Sequence, residues 1–179
     1  GVATAGMALS AVSFFGLSVT DFSRQPWQAW GLMALLGFSA ASALLASTAA
    51  IMAAAPKEKA AAAGAIETMA YELGAGLGIA LFGLILSRSY SRAIVLPAGL
   101  DPASAGQAAS SIGEAVRVAQ SLPAQSAGQL LEAASSAFVS AHSAVLLTAG
   151  ALLLLLAVGI WRGLAGAPLP REEAADGTL

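Results

Sequence analysis

Two acidic residues, Glu67 and Glu72, are the only charges inside four long apolar runs of this 179-residue chain. They stand in AGAIETMAYELGAGLGIALFG, between the charged turn at Lys57–Lys59 and Arg88. An ionised side chain in hydrocarbon costs at least about 2.5–3.5 kcal/mol even on the milder scales, a cost rarely kept without use. A neutral carboxyl is much cheaper there, so such a group is suited to exchanging protons. When ionised, it attracts a cation. Tyr71, next to Glu72, has a hydroxyl that can bond a carboxyl and a ring that can face a cation; plain packing accounts for it equally well. His142 is the one histidine, read either as a satisfied polar residue or as a proton relay.

Helical geometry relates the two acids. At about 1.5 Å per residue, Glu72 lies roughly 17 Å from Ala61, near mid-membrane, with Glu67 closer to the Lys57–Lys59 end. Five steps of about 100° separate the acids by about 140° around the axis. Glu67, Tyr71, Gly74 and Gly78 share one stripe, and Thr68, Glu72, Ala75 and Ile79 another. One acid is therefore expected to face a cavity while the other meets a neighbouring helix, or, for Glu67, snorkels to water. Gly74, Gly76 and Gly78 are expected to let helix backbones approach closely. They form no phosphate loop, because neither a preceding strand nor a following Lys-Ser/Thr is present.

The elements that hold these residues follow from where the charges are missing. Charged residues make up 10% of the chain and hydrophobic ones 58%, with mean hydropathy +0.78. A soluble domain usually carries roughly 25% charge. Residues 1–20, 25–56, 73–87 and 133–161 carry no charge with His142 neutral. About 20 apolar residues span a bilayer. The reading is an all-α membrane protein with four transmembrane helices, at about 2–20, 27–55, 61–87 and 138–162. A buried soluble bundle would alternate apolar and charged faces, and the second run has no charged face. The tryptophans Trp27, Trp30 and Trp161 sit at run edges, as interfacial aromatics do.

Between the third and fourth runs, residues 88–137 read as a helical hairpin on the extracellular side. Asp101-Pro102 caps one arm, Ala105 to Ala119 recur at helical spacing, and Pro123 opens the second arm. Lys57 and Lys59 put the second connection in the cytoplasm by the positive-inside rule, and 163–179 is then a cytoplasmic tail. Arg24, Arg88, Arg92 and Arg117 count against that orientation. Gly1 opens directly on an apolar run, so the chain is expected to lie within a longer protein.

Some classes are excluded. A net charge of −2 with no basic stripe leaves nothing to neutralise phosphates, so nucleic acid is not an expected partner. With no cysteine and one histidine, thiolate and multi-histidine metal sites are out of reach. No metal, cofactor or enzymatic activity is expected.

The motif run, with SRSYSRA after it, then a long helical loop and a last span, resembles the C-terminal part of the fourteen-span drug:proton antiporters of the major facilitator superfamily. The likeness is to the QacA/SmvA-type antiseptic efflux pumps of bacteria. Those pumps carry a glutamate and then a Tyr-acid-Leu-Gly step in the thirteenth span, matched here by Ile66-Glu67 and Tyr71-Glu72-Leu73-Gly74. Some relatives have a second acid where this chain has Thr68, and Asp where it has Glu72. The resemblance implies spans eleven to fourteen of a larger bundle in the bacterial inner membrane, with the N-terminal spans as partners. It implies export of lipophilic cationic drugs in exchange for protons, with Glu72 and Glu67 as coupling acids; Tyr71 beside Glu72 is then a candidate substrate contact, with packing as its alternative. Two rivals remain: a stand-alone four-span exporter acting as an oligomer, and a non-transporting membrane subunit that docks a partner through the hairpin.

Overall fold

The computed structural model describes residues 2–22, 24 and 26–165. No strand occurs among them. The helices are α1 (Val2–Val19), α2 (Pro26–Ala54), α3 (Ala60–Ala93), α4 (Pro102–Ser110), α5 (Ile112–Ala119) and α6 (Ala124–Ala165), with a 3-10 turn at Lys57–Lys59 before α3. The tail expected at 163–179 lies outside the described residues from 166 onward.

Four helices are long and apolar enough to cross a membrane: α1, α2, α3 with its preceding turn, and α6. Their 18-residue length at the shortest is about 27 Å, close to a hydrocarbon core of about 30 Å. Small residues let α1 pack tightly on α2. A Cβ on Gly6 would lie 2.8 Å from the Ser39 carbonyl oxygen and 2.9 Å from Ala43 Cβ. One turn along, the buried hydroxyls of Ser10 and Ser39 bond each other at 2.8 Å. Gly150 of α6 makes room for the Phe15 ring, whose Cε1 would lie 3.0 Å from a Cβ placed there. Thus α1 is wedged between α2 and α6, α6 also runs along α3, and α2 meets α3 only sparsely.

The second core is a layer at the far end of α3. There Tyr90 packs among Ala108, Ala115, Val118, Leu130, Ala134, Ala137 and Ala141. Tyr90, Ala108, Leu130 and Ala134 are all at most 2% exposed. A buried apolar side chain of leucine size contributes about 1.5–3 kcal/mol. The Tyr90 hydroxyl donates to the Ala108 carbonyl at 3.1 Å, and Ser91 Oγ donates to that of Ala109 at 2.7 Å. Asp101 caps α4 through the amides of Ala103 and Ser104, both at 3.0 Å. Gly99, at φ +92°, makes the left-handed turn that leads into this cap.

Two boundaries differ from those expected. Helix α3 continues past Ser87 to Ala93, because Arg88 and Arg92 sustain a helix and Leu86 and Tyr90 pack into the terminal layer. Helix α6 starts at Ala124, where Pro123 opens the second arm, and runs unbroken for 42 residues into the fourth run, with no proline inside it. The arm read as one helix over 105–119 is two, broken at Ser111, whose hydroxyl accepts from the Glu114 amide at 3.2 Å.

Candidate functional site

Helix α3 carries the acids along one continuous turn sequence, with about 7.5 Å of axial rise between Glu67 and Glu72. Glu67 is half-buried where α3 leaves the 3-10 turn beside α2. Its Oε1 accepts a hydrogen bond from the Thr48 hydroxyl of α2. One turn closer to the connection, Gly64 leaves room for the Met52 side chain, whose Cε would be 3.3 Å from a Cβ there. The Thr68 hydroxyl is used within its own helix, donating to the Gly64 carbonyl at 3.0 Å.

Glu72 lies on the other stripe and is exposed, with no hydrogen bond or ion pair among the described residues. Tyr71 is 60% exposed. A Cβ placed on Gly74, Gly76 or Gly78 would meet nothing within 4 Å. The glycines therefore bring no helix of this chain close. Large apolar side chains beside them, Ile66, Met69, Leu73, Leu77 and Ile79, are 64–77% exposed. The four helices thus bring Glu67 to Thr48 but leave Glu72, Tyr71 and the glycines on a face that nothing among the described residues covers. Such a face needs lipid or further protein against it.

The chain is 70% identical over 166 residues to the methyl viologen resistance protein SmvA of two Salmonella typhimurium strains. That match takes in 93% of this chain and 34% of SmvA, in its C-terminal part. The chain is homologous to the SmvA-type efflux proteins. Two further relatives agree. The multidrug efflux pump LfrA of Mycolicibacterium smegmatis is 44% identical over 60% of this chain and 21% of its own. The tetracenomycin C resistance and export protein of Streptomyces glaucescens is 31% identical over 85% of this chain and 30% of its own. The chain thus spans about a fifth to a third of the length of the curated relatives it matches. No family model matches it, and no solved structure does. Efflux relatives and four membrane-length helices together make it a multi-pass protein of the bacterial inner membrane. By name, the relatives are resistance, efflux and export proteins.

Elsewhere in the chain, His142 stacks on Phe138 with ring centroids 6.1 Å apart. Both line a cavity of about 710 Å³ formed with Leu17 and Phe22, at the end of α1 away from Glu67. No group of three or more metal-ligating side chains occurs among the described residues. Thr48 is the residue that sequence reasoning missed. It stands nine positions before Lys57, as Glu67 stands nine after Glu58, so an antiparallel register through the turn pairs them.

Proposed function

We propose that this chain is the C-terminal part of a proton-coupled exporter of lipophilic cations, with transport rather than catalysis as its work. Glu72 and Glu67 are its coupling acids. The observation that carries the reading is the placement of two carboxylates in the otherwise uncharged stretch of α3, Glu67 against α2 and Glu72 on the uncovered face, in a chain 70% identical to a methyl viologen resistance protein. Ionised carboxylates hold the cation, and protonation releases it; two ligands competing for one site give the required linkage. Tyr71, next to Glu72, presents its ring to the cargo. The glycine face of α3 meets the remaining spans of the same transporter, which supply the second half of a rocking bundle. The layer around Tyr90 forms the extracellular cap, and the Lys57–Lys59 turn faces the cytoplasm.

The test uses the full-length transporter and ethidium efflux at several external pH values, normalised to protein in the membrane. Glu72→Gln keeps size and hydrogen bonding without charge, and it is expected to abolish or severely reduce efflux at normal membrane levels. Glu72→Asp keeps the charge on a shorter arm and retains part of the activity. Wild-type efflux with an unchanged pH profile in Glu72→Gln would leave Glu72 a structural residue.

A further inference from the structure

Most hydroxyls on the long helices are used locally. Ser13, Thr20, Ser42, Ser47 and Thr148 each donate to the carbonyl four residues back on their own helix. Such back-bonding is the default for Ser and Thr inside an apolar helix. Thr48, directly after Ser47, departs from it. Its hydroxyl leaves α2 and reaches the Glu67 carboxylate on α3. That contact lies where the two helices, sparsely packed, begin to diverge beyond the Met52–Gly64 approach.

We propose that Thr48 is a positioning residue for Glu67, aiming its carboxylate and tying its loading to the approach of α2 and α3. The inference rests on the reading of Glu67 as a coupling acid. A hydroxyl bonds an ionised carboxylate roughly twice as strongly as a neutral partner. A charged, empty Glu67 therefore holds the helices together, while a proton or a cationic cargo takes up the lone pairs and loosens the tie. The groups around Glu67 leave this hydroxyl a specific role. Helix α2 has no ionisable side chain. The turn carries Lys57, Glu58 and Lys59, and α3 itself carries Tyr71 and Glu72. Helix α6, packed along α3, carries Arg162 towards one end and Glu132 and His142 towards the other.

The experiment measures ethidium efflux against external pH in the full-length transporter, normalised to membrane protein, for Thr48→Val, Thr48→Ser and Glu67→Gln. Thr48→Val keeps the branched shape without the hydroxyl. Its midpoint is expected to move by roughly half a pH unit or more, the equivalent of one ordinary hydrogen bond. Thr48→Ser restores the wild-type midpoint, and Glu67→Gln impairs efflux. A Thr48→Val profile that superimposes on wild type, with Glu67→Gln impaired, overturns the role of Thr48 and leaves that of Glu67 standing. Wild-type behaviour in Glu67→Gln overturns both. If Thr48→Val fails to reach the membrane, Thr48→Ala, which adds no bulk, carries the same comparison.

Discussion

Replacing Gly6 by alanine is a sharp test of how α1 and α2 are held. The added Cβ would sit 2.8 Å from the Ser39 carbonyl oxygen, 2.9 Å from Ala43 Cβ and 3.1 Å from the Ala43 nitrogen. Ordinary carbon–carbon contact begins near about 3.5 Å, so the carbon pair alone is roughly 0.6 Å too close. All three obstacles are backbone or Cβ atoms, and none can rotate away. The helices must part by about that distance along this stretch. The buried Ser10–Ser39 bond, now 2.8 Å, would stretch to about 3.4 Å and beyond useful geometry. Overpacking costs about 1–3 kcal/mol, and the weakened bond adds about 1 kcal/mol. Thermal melting of the purified full-length transporter, followed by fluorescence-detected gel filtration, should show a clear loss of stability. Adding Ala43→Gly removes the Cβ contact but not the carbonyl contact, so the double variant should recover only in part. Gly6→Ala that melts and accumulates as wild type would refute the close-packed α1–α2 seam.

Two further outcomes are expected. Tyr90→Phe deletes the hydroxyl that reaches the Ala108 carbonyl, with about 1–3 kcal/mol lost from the terminal layer; faster amide exchange across α4, with α1 and α2 unaffected, is the readout. The Asp101 carboxyl is held below the ordinary carboxylate range, by the Ser104 hydroxyl first and then by the amides it caps. A depressed value means that the cap is fully formed above the usual carboxylate range and is lost as pH falls through the lowered one. Protection of the Ala103 and Ser104 amides, corrected for intrinsic exchange, should therefore be flat at neutral pH and fall only below the usual carboxylate range; Asp101→Ala should abolish it throughout.

The long apolar elements were readable because hydropathy and the absence of charge act over whole helices and need no tertiary information. What eluded reading was set by single contacts. The break at Ser111 had a local signal, Ser111-x-x-Glu114, the spacing of a capping box. Alanine periodicity through 105–119 obscured it. The extension of α3 beyond Ser87 depends on burial of Tyr90 against α4 and α6, which no window of sequence contains. At the acids, residue type picked out Glu67 and Glu72, and helical spacing put them on different faces; which face meets a neighbour was set by the fold. Glu67 has a partner on α2, and Glu72 faces outward. Thr48 escaped notice because an uncharged threonine in an alanine-rich run differs little from its neighbours until the turn register pairs it with an acid. Spacing alone points the glycines to helix packing, and among the described residues no helix comes within 4 Å of a Cβ placed on them.

At about 63 Å, helix α6 is roughly twice as long as a bilayer's hydrocarbon core is thick. Its first turns are built into the layer around Tyr90, and its later turns run beside α1 and α3. An unbroken rod of this length is a lever. A tilt of about 5° carries its far end through roughly 5 Å. A dye fixed to the exposed surface of α5 would therefore swing with α6. On the proposed function it would report the transport cycle without a label near Glu67 or Glu72.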